Sequence, residues 1–179
     1  TSYDYDARGR LVKQTEPDGR KLEYQYDAAG NRTALILGSG TTTYAYDTQS
    51  RLSTVTAPGG DVTRYEYDAA GALVSTVLPN GTYELRFYDS VGRLKALENR
   101  NPLGLLNEFT YTLNKTGLRT RVVETHGADV RQTDYTYDAV YRLLGETITD
   151  GVGGNRSVTY TYDKVGNRLT RNDSVAGNS

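Results

Sequence analysis

The stretch YDYDARGRL at residues 3–11 contains the pattern that decides the fold. Its first four letters form the word Y-x-Y-D, and this word returns seven more times along the chain, twice in a degraded form. The residues that close the eight words are Asp6, Asp27, Asp47, Asp68, Asp89, Asn114, Asp138 and Asp163. Successive closing residues are 21, 20, 21, 21, 25, 24 and 25 positions apart. A period in this range is the sequence signature of a repeat protein, so we count eight repeats.

A tight turn is predicted directly after each word. Gly follows the closing residue by three positions except where Ser50 and Tyr141 replace it. Asp at the first position of a turn bonds the backbone two residues on, and Gly at the fourth adopts the left-handed conformation without strain. D-x-x-G therefore predicts a hairpin. The motif residues, to which we assign a structural role, are Tyr3, Tyr5, Asp6, Gly9, Tyr24, Tyr26, Asp27, Gly30, Tyr44, Tyr46, Asp47, Tyr65, Tyr67, Asp68, Gly71, Tyr88, Asp89, Gly92, Tyr111, Asn114, Gly117, Tyr135, Tyr137, Asp138, Tyr160, Tyr162, Asp163 and Gly166.

The segments on either side of this turn are predicted to be strands. Residues 21–26 alternate with a period of two, which places Tyr24 and Tyr26 on one face. The segment after the turn is short and ends in a second turn signal; the first four such signals are Pro17-Asp18-Gly19, Gly38-Ser39-Gly40, Pro58-Gly59-Gly60 and Pro79-Asn80-Gly81. In the last three repeats we expect the second turn to lengthen, to 99–107, 125–130 and 150–155, while the strands keep their length.

These elements predict an all-β fold, a continuous antiparallel β-hairpin meander of about 16 strands over residues 1–172. Residues 173–179 are expected to form a tail that leads to a downstream region. Fourteen of the 16 tyrosines lie in the repeat frame, so rings of neighbouring repeats are expected to stack on one face. Because sheets twist, we expect the ribbon to curl into a spiral or an open-barrel shell segment.

The composition excludes several classes of function. The chain has 179 residues, no Cys and one His, which removes disulfide scaffolds, thiolate zinc sites, thiol nucleophiles and most multi-histidine metal sites. We expect no cofactor and no metal. A net charge of −1 provides no positive field for nucleic acid, and no membrane span is predicted. Because position 1 is Thr, we expect a segment of a longer chain.

The candidates for catalysis are weak, and we expect no enzyme. His126 is the single imidazole; it stands beside Gly127 in a turn-like stretch without the G-x-S-x-G context of a nucleophile elbow, which favours a solvated loop. The repeated carboxylates resemble the acid pair of a glycosidase, but their identical place in each repeat favours turn bonding. 

Recurrent arginines and the tyrosine face suggest two kinds of binding. A row that binds a polyanion is one interpretation of the arginines, and a ladder of inter-strand ion pairs is favoured over it at this net charge. The arginines concerned are Arg10, Arg32, Arg51, Arg93, Arg119, Arg142 and Arg168. Exposed tyrosines would also stack on sugars, so glycan binding remains an alternative.

Words such as YDYDARGRL at residues 3–11 resemble the YD repeats of Rhs proteins, which also occur in teneurins and in the C component of insecticidal toxin complexes. The resemblance spans about residues 1–172. It implies a β-sheet strip that spirals into a hollow shell, encloses a C-terminal toxin domain in bacterial members, and is exported. Related shells carry a self-cleavage motif like D-P-x-G-L; the nearest text here, residues 101–105, begins with Asn and is interpreted as a long inter-strand turn.

The resulting functional hypothesis is a structural wall segment of a shell that protects a C-terminal toxin or other guest polypeptide, secreted or displayed at the cell surface. The expected partners are neighbouring repeats, the enclosed toxin domain and, through strand edges, other copies end to end. A guest of roughly 120 residues needs a circumference of some 30 strands, about twice what this chain supplies. The alternative is an extracellular adhesion stalk that binds glycans or protein.

Overall fold

The computed structural model describes residues 1–174, which form sixteen β-strands and no helix. The strands are β1 (Ser2–Tyr5), β2 (Leu11–Thr15), β3 (Lys21–Tyr26), β4 (Arg32–Leu37), β5 (Gly40–Tyr46), β6 (Leu52–Thr56), β7 (Val62–Tyr67), β8 (Leu73–Val77), β9 (Tyr83–Tyr88), β10 (Leu94–Asn101), β11 (Gly104–Leu113), β12 (Arg119–His126), β13 (Asp129–Tyr137), β14 (Leu143–Asp150), β15 (Arg156–Tyr162) and β16 (Arg168–Asp173). Their order in the sheet is their order in the sequence. The predicted antiparallel meander is confirmed.

The word-closing turn has the same geometry in each repeat. In the first, the Gly9 amide donates to the Asp6 carbonyl oxygen (2.9 Å), and the Asp6 amide donates to the carbonyl oxygen of Arg10 (2.9 Å). This is a three-residue hairpin loop whose last residue is left-handed. Gly9 has a φ of 74°, and Ser50 and Tyr141, which replace glycine, adopt φ values of 59° and 68°.

A β-bulge accompanies this turn and was not predicted. Between β3 and β4, Gln25 lies opposite Ala34, whereas Tyr26 lies opposite Arg32, so Thr33 is an additional residue. The same register shift occurs next to the corresponding turns of β1–β2, β5–β6, β7–β8, β11–β12, β13–β14 and β15–β16. A bulge increases local twist and redirects side chains, so in these hairpins it affects the direction of the residue that precedes the closing Asp or Asn.

The chain divides into two compact units, Thr1–Tyr83 and Glu84–Ser179. The first unit holds the four short repeats, and its strands have four to seven residues. The second unit holds the four remaining repeats, and its strands reach ten residues in β11.

The predicted lengthening of the second turns is wrong for two of the three repeats concerned. Strands β10 and β11 stay paired as far as Asn101 opposite Gly104, so only Pro102 and Leu103 lie between them. Likewise β12 and β13 stay paired up to the ends of both strands. The additional residues extend the strands because they find backbone partners across the hairpin. Only 149–155 forms a longer connection, beyond the last β14–β15 pair.

Buried side chains are few and differ between the units. In the second unit Val122 lies opposite Thr133, which lies opposite Ile148, and all three are buried. Val158 of β15 is the most deeply buried, at 1% exposed. Of the residues described in the first unit, Ala34 and Ser75 are buried. In a single sheet these few side chains are buried by their cross-strand neighbours, and many of the other side chains stay half-buried.

The sheet extends slightly past its predicted end. Asp173 is the last residue of β16, and the Ser174 amide donates to the Ser157 carbonyl oxygen (2.9 Å). Residue 173, assigned to the tail from the sequence, thus belongs to the sheet, and residue 174 bonds to it. The rest of that tail, residues 175–179, lies outside the described part of the chain.

Candidate functional site: the contacts that join the repeats

The aspartate that closes each word organises its own turn. In the third repeat, Asp47 Oδ1 accepts from the amides of Gln49 (2.8 Å) and Arg51 (3.0 Å), and Oδ2 accepts from Arg51 Nε (2.7 Å). The pKa of Asp47 is lowered, mainly by the hydrogen bond from the Arg51 amide, and this effect is larger than that of partial desolvation, which raises the pKa. In the second repeat the Asn31 side chain is the main group that lowers the pKa of Asp27. These carboxylates are bound within turns, as expected from their recurrence.

The second tyrosine of a word bonds to the backbone of the preceding repeat. The Tyr26 hydroxyl donates to the Leu11 carbonyl oxygen (2.8 Å), and the acceptor lies five residues after the previous closing Asp or Asn. The equivalent bonds run from Tyr46 to Arg32, Tyr67 to Leu52, Tyr137 to Arg119 and Tyr162 to Leu143. Each such bond ties one hairpin to the next through a side chain, in addition to the backbone ladder.

The tyrosines of the frame lie on one face of their strands. In β3, Tyr24 and Tyr26 are half-buried while Gln25 between them is exposed, and the same alternation recurs in the later words. Tyr3 and Tyr5 are instead 52% and 60% exposed. They lie in β1, whose one pairing among the described residues is with β2. A preceding repeat is thus what covers a tyrosine.

The tyrosine row also contains arginine. The guanidinium carbon of Arg10 lies 4.5 Å from the centre of the Tyr26 ring, and that of Arg51 lies 4.5 Å from the Tyr67 ring. Further pairs are Arg142 with Tyr162, Arg32 with Tyr44, Arg119 with Tyr111 and Arg168 with Tyr160. A cation over an aromatic face is attracted to it, so these contacts add to the burial of the rings.

The arginines also form ion pairs, but within a turn. Arg10 Nε lies 2.7 Å from Asp6 Oδ2, and Arg93 Nε lies 2.7 Å from Asp89 Oδ2. The sequence predicted a ladder of ion pairs from strand to strand; these pairs instead close the hairpin of their own repeat. Four of the seven recurrent guanidinium groups, those of Arg10, Arg51, Arg93 and Arg142, are thus already paired with a carboxylate, which disfavours the polyanion-binding interpretation for these four.

The remaining candidates from the sequence lie apart from one another. His126 is the exposed last residue of β12, opposite Asp129, and not part of a longer loop. Asn101 begins a two-residue hairpin tip, where its Oδ1 accepts from the amides of Leu103 (2.8 Å) and Gly104 (3.1 Å). Within residues 1–174, no three His, Cys, Asp or Glu side chains are grouped as a metal site would require. The described residues also contain no helix long and apolar enough to cross a lipid bilayer.

Sequence reasoning missed the tyrosine hydroxyl acceptors and the bulge. The acceptor keeps a fixed place in the repeat, because in each of these bonds it lies five residues after the previous closing Asp or Asn. The bulge has no comparable signal, since Thr33 and its equivalents share no residue type that marks an additional position.

The topology, the recurrent turn and the side-chain bonds between repeats define an all-β repeat protein. The RHS Repeat family model matches residues 5–42 and 46–83, and the same word continues through the four later repeats. Residues 5–42 and 46–83 therefore consist of RHS repeats.

Solved structures share the fold. The chain is similar to part of the Tc holotoxin pore of Photorhabdus luminescens, with a TM-score of 0.74 and 21% identity, over 89% of this chain and 9% of that one. It is also similar to part of TcdB2-TccC3 without its hypervariable C-terminal region, with a TM-score of 0.78 and 18% identity, over 94% of this chain and 10% of that one. The chain thus spans about a tenth of these chains. No curated protein sequence matches it.

Proposed function

We propose that this chain is a non-enzymatic wall segment of an RHS-repeat shell that holds its shape around a guest polypeptide, such as a C-terminal toxin, and shields it from proteases. The observation that supports the proposal is the double linkage between repeats. The hydroxyls of tyrosines in both units bond to carbonyl oxygens of the preceding repeat, in addition to the backbone pairing of a continuous sheet; these tyrosines include Tyr26, Tyr46, Tyr67, Tyr137 and Tyr162. A sheet linked in this way resists local opening, which is the property a wall needs.

The length of the chain fits a part of such a wall. Enclosing a folded guest of roughly 120 residues requires some 30 strands, and this chain has sixteen. The similar solved chains are about ten times longer, so further repeats and the guest would lie in other parts of the same polypeptide. Secretion or display at a cell surface, and delivery of the guest, belong to the same proposal.

The alternative is an adhesion stalk that binds glycans on the tyrosine face. One face of the Tyr26, Tyr67 and Tyr162 rings is already covered by an arginine, which leaves less aromatic surface for a sugar. A titration with oligosaccharides up to about 1 mM, followed by tyrosine fluorescence, distinguishes the stalk from the wall segment. A wall segment should show no change in fluorescence, whereas a stalk that binds sugar on its tyrosines should show one.

The experiment that tests the wall is a trypsin time course on the full-length gene product that carries these repeats, read by mass spectrometry. The 21 Lys and Arg of this segment provide many cleavage sites. We expect the segment and a downstream domain to survive together, while the same domain expressed alone is digested. If the repeats survive but the downstream domain is cleaved as fast as the free domain, nothing is enclosed and the proposal fails.

A further inference from the structure

Alternate repeats differ at the fourth position after the closing Asp or Asn. Arginine occupies this position in the odd-numbered repeats, as Arg10, Arg51, Arg93 and Arg142. In the even-numbered repeats it is occupied by Asn31, Ala72, Leu118 and Asn167. The alternation runs through all eight repeats and through both compact units.

Each of the four arginines joins its own turn to the turn of the next repeat. Arg51 Nε binds Asp47 of its own turn, and Arg51 Nη1 donates to the Asp68 carbonyl oxygen of the following one (3.3 Å). We call this arrangement the arginine clasp. The other clasps run from Arg10 to Asp27, Arg93 to Asn114 and Arg142 to Asp163, at 3.2, 3.1 and 3.0 Å. The planar fork of arginine can bind both groups at once, whereas Asn31 reaches only Asp27 of its own turn.

Departures from the repeat word follow the same alternation. Ser50 and Tyr141 hold left-handed conformations without being glycine, and both stand in odd repeats directly before a clasp arginine. That conformation is strained for them, and the clasp contacts oppose the strain. Asn114 replaces Asp in an even repeat, where Leu118 stands at the fourth position and no guanidinium needs a carboxylate partner. Its Oδ1 still accepts from the Leu118 amide (2.9 Å).

Two further boundaries fall between an even repeat and the next odd one. The two ranges matched by the family model, 5–42 and 46–83, each cover one odd repeat and the even repeat that follows it. The boundary between the compact units, after Tyr83, also comes after an even repeat, the fourth. None of the four clasps crosses either boundary.

We propose that the structural unit of this sheet is a doublet, an odd repeat clasped to the next even repeat by one arginine, and that the first two doublets separate at the junction between them before either doublet opens. The junction after the second repeat keeps the bond from Tyr46 to Arg32 and the stack of Arg32 on Tyr44. It has Asn31 where a clasp would begin, and Asn31 carries no guanidinium. Opening at this junction breaks fewer side-chain bonds than opening within the first doublet, where side chains of Arg8, Arg10 and Tyr26 bond to the neighbouring repeat.

Amide hydrogen exchange of the whole chain, read by mass spectrometry, tests the doublet with three variants. R51A removes the clasp of the second doublet. R32A is the matched control, because it removes a nearby arginine that stacks on a tyrosine of the next repeat at a similar distance, 4.6 Å. N31R adds a guanidinium at the junction between the first two doublets.

We expect R51A to accelerate exchange about tenfold in residues 40–82 together and to leave residues 2–37 unchanged, because lost charge-assisted bonds weaken one cooperative unit. R32A should accelerate exchange by no more than about twofold. N31R should slow exchange in residues 40–46 by about threefold. Acceleration by R51A confined to 47–51, or equal throughout residues 2–173, overturns the doublet. If R51A does not fold, N31R decides alone, and unchanged or faster exchange at 40–46 contradicts the proposal.

Discussion

The first four repeats and the last four share the same type of word-closing turn and the same arginine clasp, but their strands differ in length. The period is 20 or 21 residues in the first unit and 24 or 25 in the second. The turn after the word is the same three-residue loop in both units, so the difference lies at the opposite end of the hairpin. There β10 and β11 have eight and ten residues, whereas β2 and β3 have five and six. One end of the hairpin is fixed by side chains, and the other end is free to vary.

The longer strands of the second unit also change what is buried. They create the cross-strand row of Val122, Thr133 and Ile148. They also carry Leu103, which is 95% exposed, at a hairpin tip. The two units therefore differ in the buried side chains of their strands, while the word-closing turn connects the repeats in the same way in both.

Acidification should have the largest effect, because it acts on the turns of both units together. The Arg amide at the fourth position is the main cause that lowers the pKa of Asp6, Asp47 and Asp89. A carboxyl whose pKa is lower in the folded state stabilises the fold above its unfolded value of about 3.9, and this stabilisation is lost as pH falls through the folded value. Circular dichroism should therefore show both units losing stability below pH of about 4. An acid transition centred above pH of about 5 would contradict this cause.

Shortening the buried row should destabilise the second unit alone. I148A removes buried methyl groups and leaves a cavity, so we expect a loss of about 2–5 kcal/mol in the free energy of unfolding measured in urea. V152A is the control, since Val152 is 75% exposed, and it should cost less than about 0.5 kcal/mol. Equal losses for the two variants would show that the row is not a core.

Changing the closing aspartate should distinguish odd from even turns. D47N weakens the bond to Arg51 and should clearly lower the urea midpoint. D68N should have little effect on the midpoint, because Ala72 stands at the fourth position of that turn and has no charged side chain to bind Asp68. D138N in the second unit should behave like D47N, because Arg142 bonds to Asp138 in the same way. A similar loss for D47N and D68N would mean that the clasp does not discriminate between the repeats.

Removing one tyrosine hydroxyl should lower the free energy of unfolding by the same amount in both units. Y67F and Y162F each delete a bond to a carbonyl oxygen of the preceding repeat, at an expected cost of about 1 kcal/mol in urea unfolding. Y141F is the control, because Tyr141 is 59% exposed and lies outside the repeat frame. If Y67F and Y162F leave the free energy of unfolding unchanged, the tyrosine hydroxyl bonds do not stabilise the contact between repeats.

Restoring glycine in a turn should have the smallest effect. S50G relieves a left-handed serine with a φ of 59°, and we expect thermal unfolding to show a gain of about 0.5–1 kcal/mol. The reverse change, G30A, places a side chain at a φ of 100° and should destabilise by a similar amount or more. A loss of stability in S50G would indicate that Ser50 is held by contacts that outweigh its strain.

Most of the fold could be predicted from the sequence, because the evidence for it recurs eight times. The spacing of Tyr24, Tyr26 and Asp27 predicts both a strand and a turn, and the structure has both. The length of the later strands could not be predicted. Residues 99–107 contain Asn, Pro and Gly, which are typical of loops, yet backbone pairing extends to Asn101 and Gly104. There tertiary pairing overrides local preference.

The contacts of the candidate site were only partly predictable. The turn bonds of Asp47 follow from residue type and position alone. To predict the clasp, one must know that Arg51 and Asp68, 17 residues apart, lie next to each other at the turn ends of neighbouring hairpins. Such a contact depends on register, and register depends on a bulge that the sequence does not mark.

One hairpin pattern builds both units, and the repeats of the second unit are longer because their strands are longer. Residue-resolved amide exchange of residues 98–108 tests this claim. We predict that the strand amides that pair across this hairpin exchange at least about a hundredfold more slowly than in an unfolded peptide. If residues 99–107 all exchange at the rate of an unfolded peptide, they form a long loop, and the extension of β10 and β11 is contradicted.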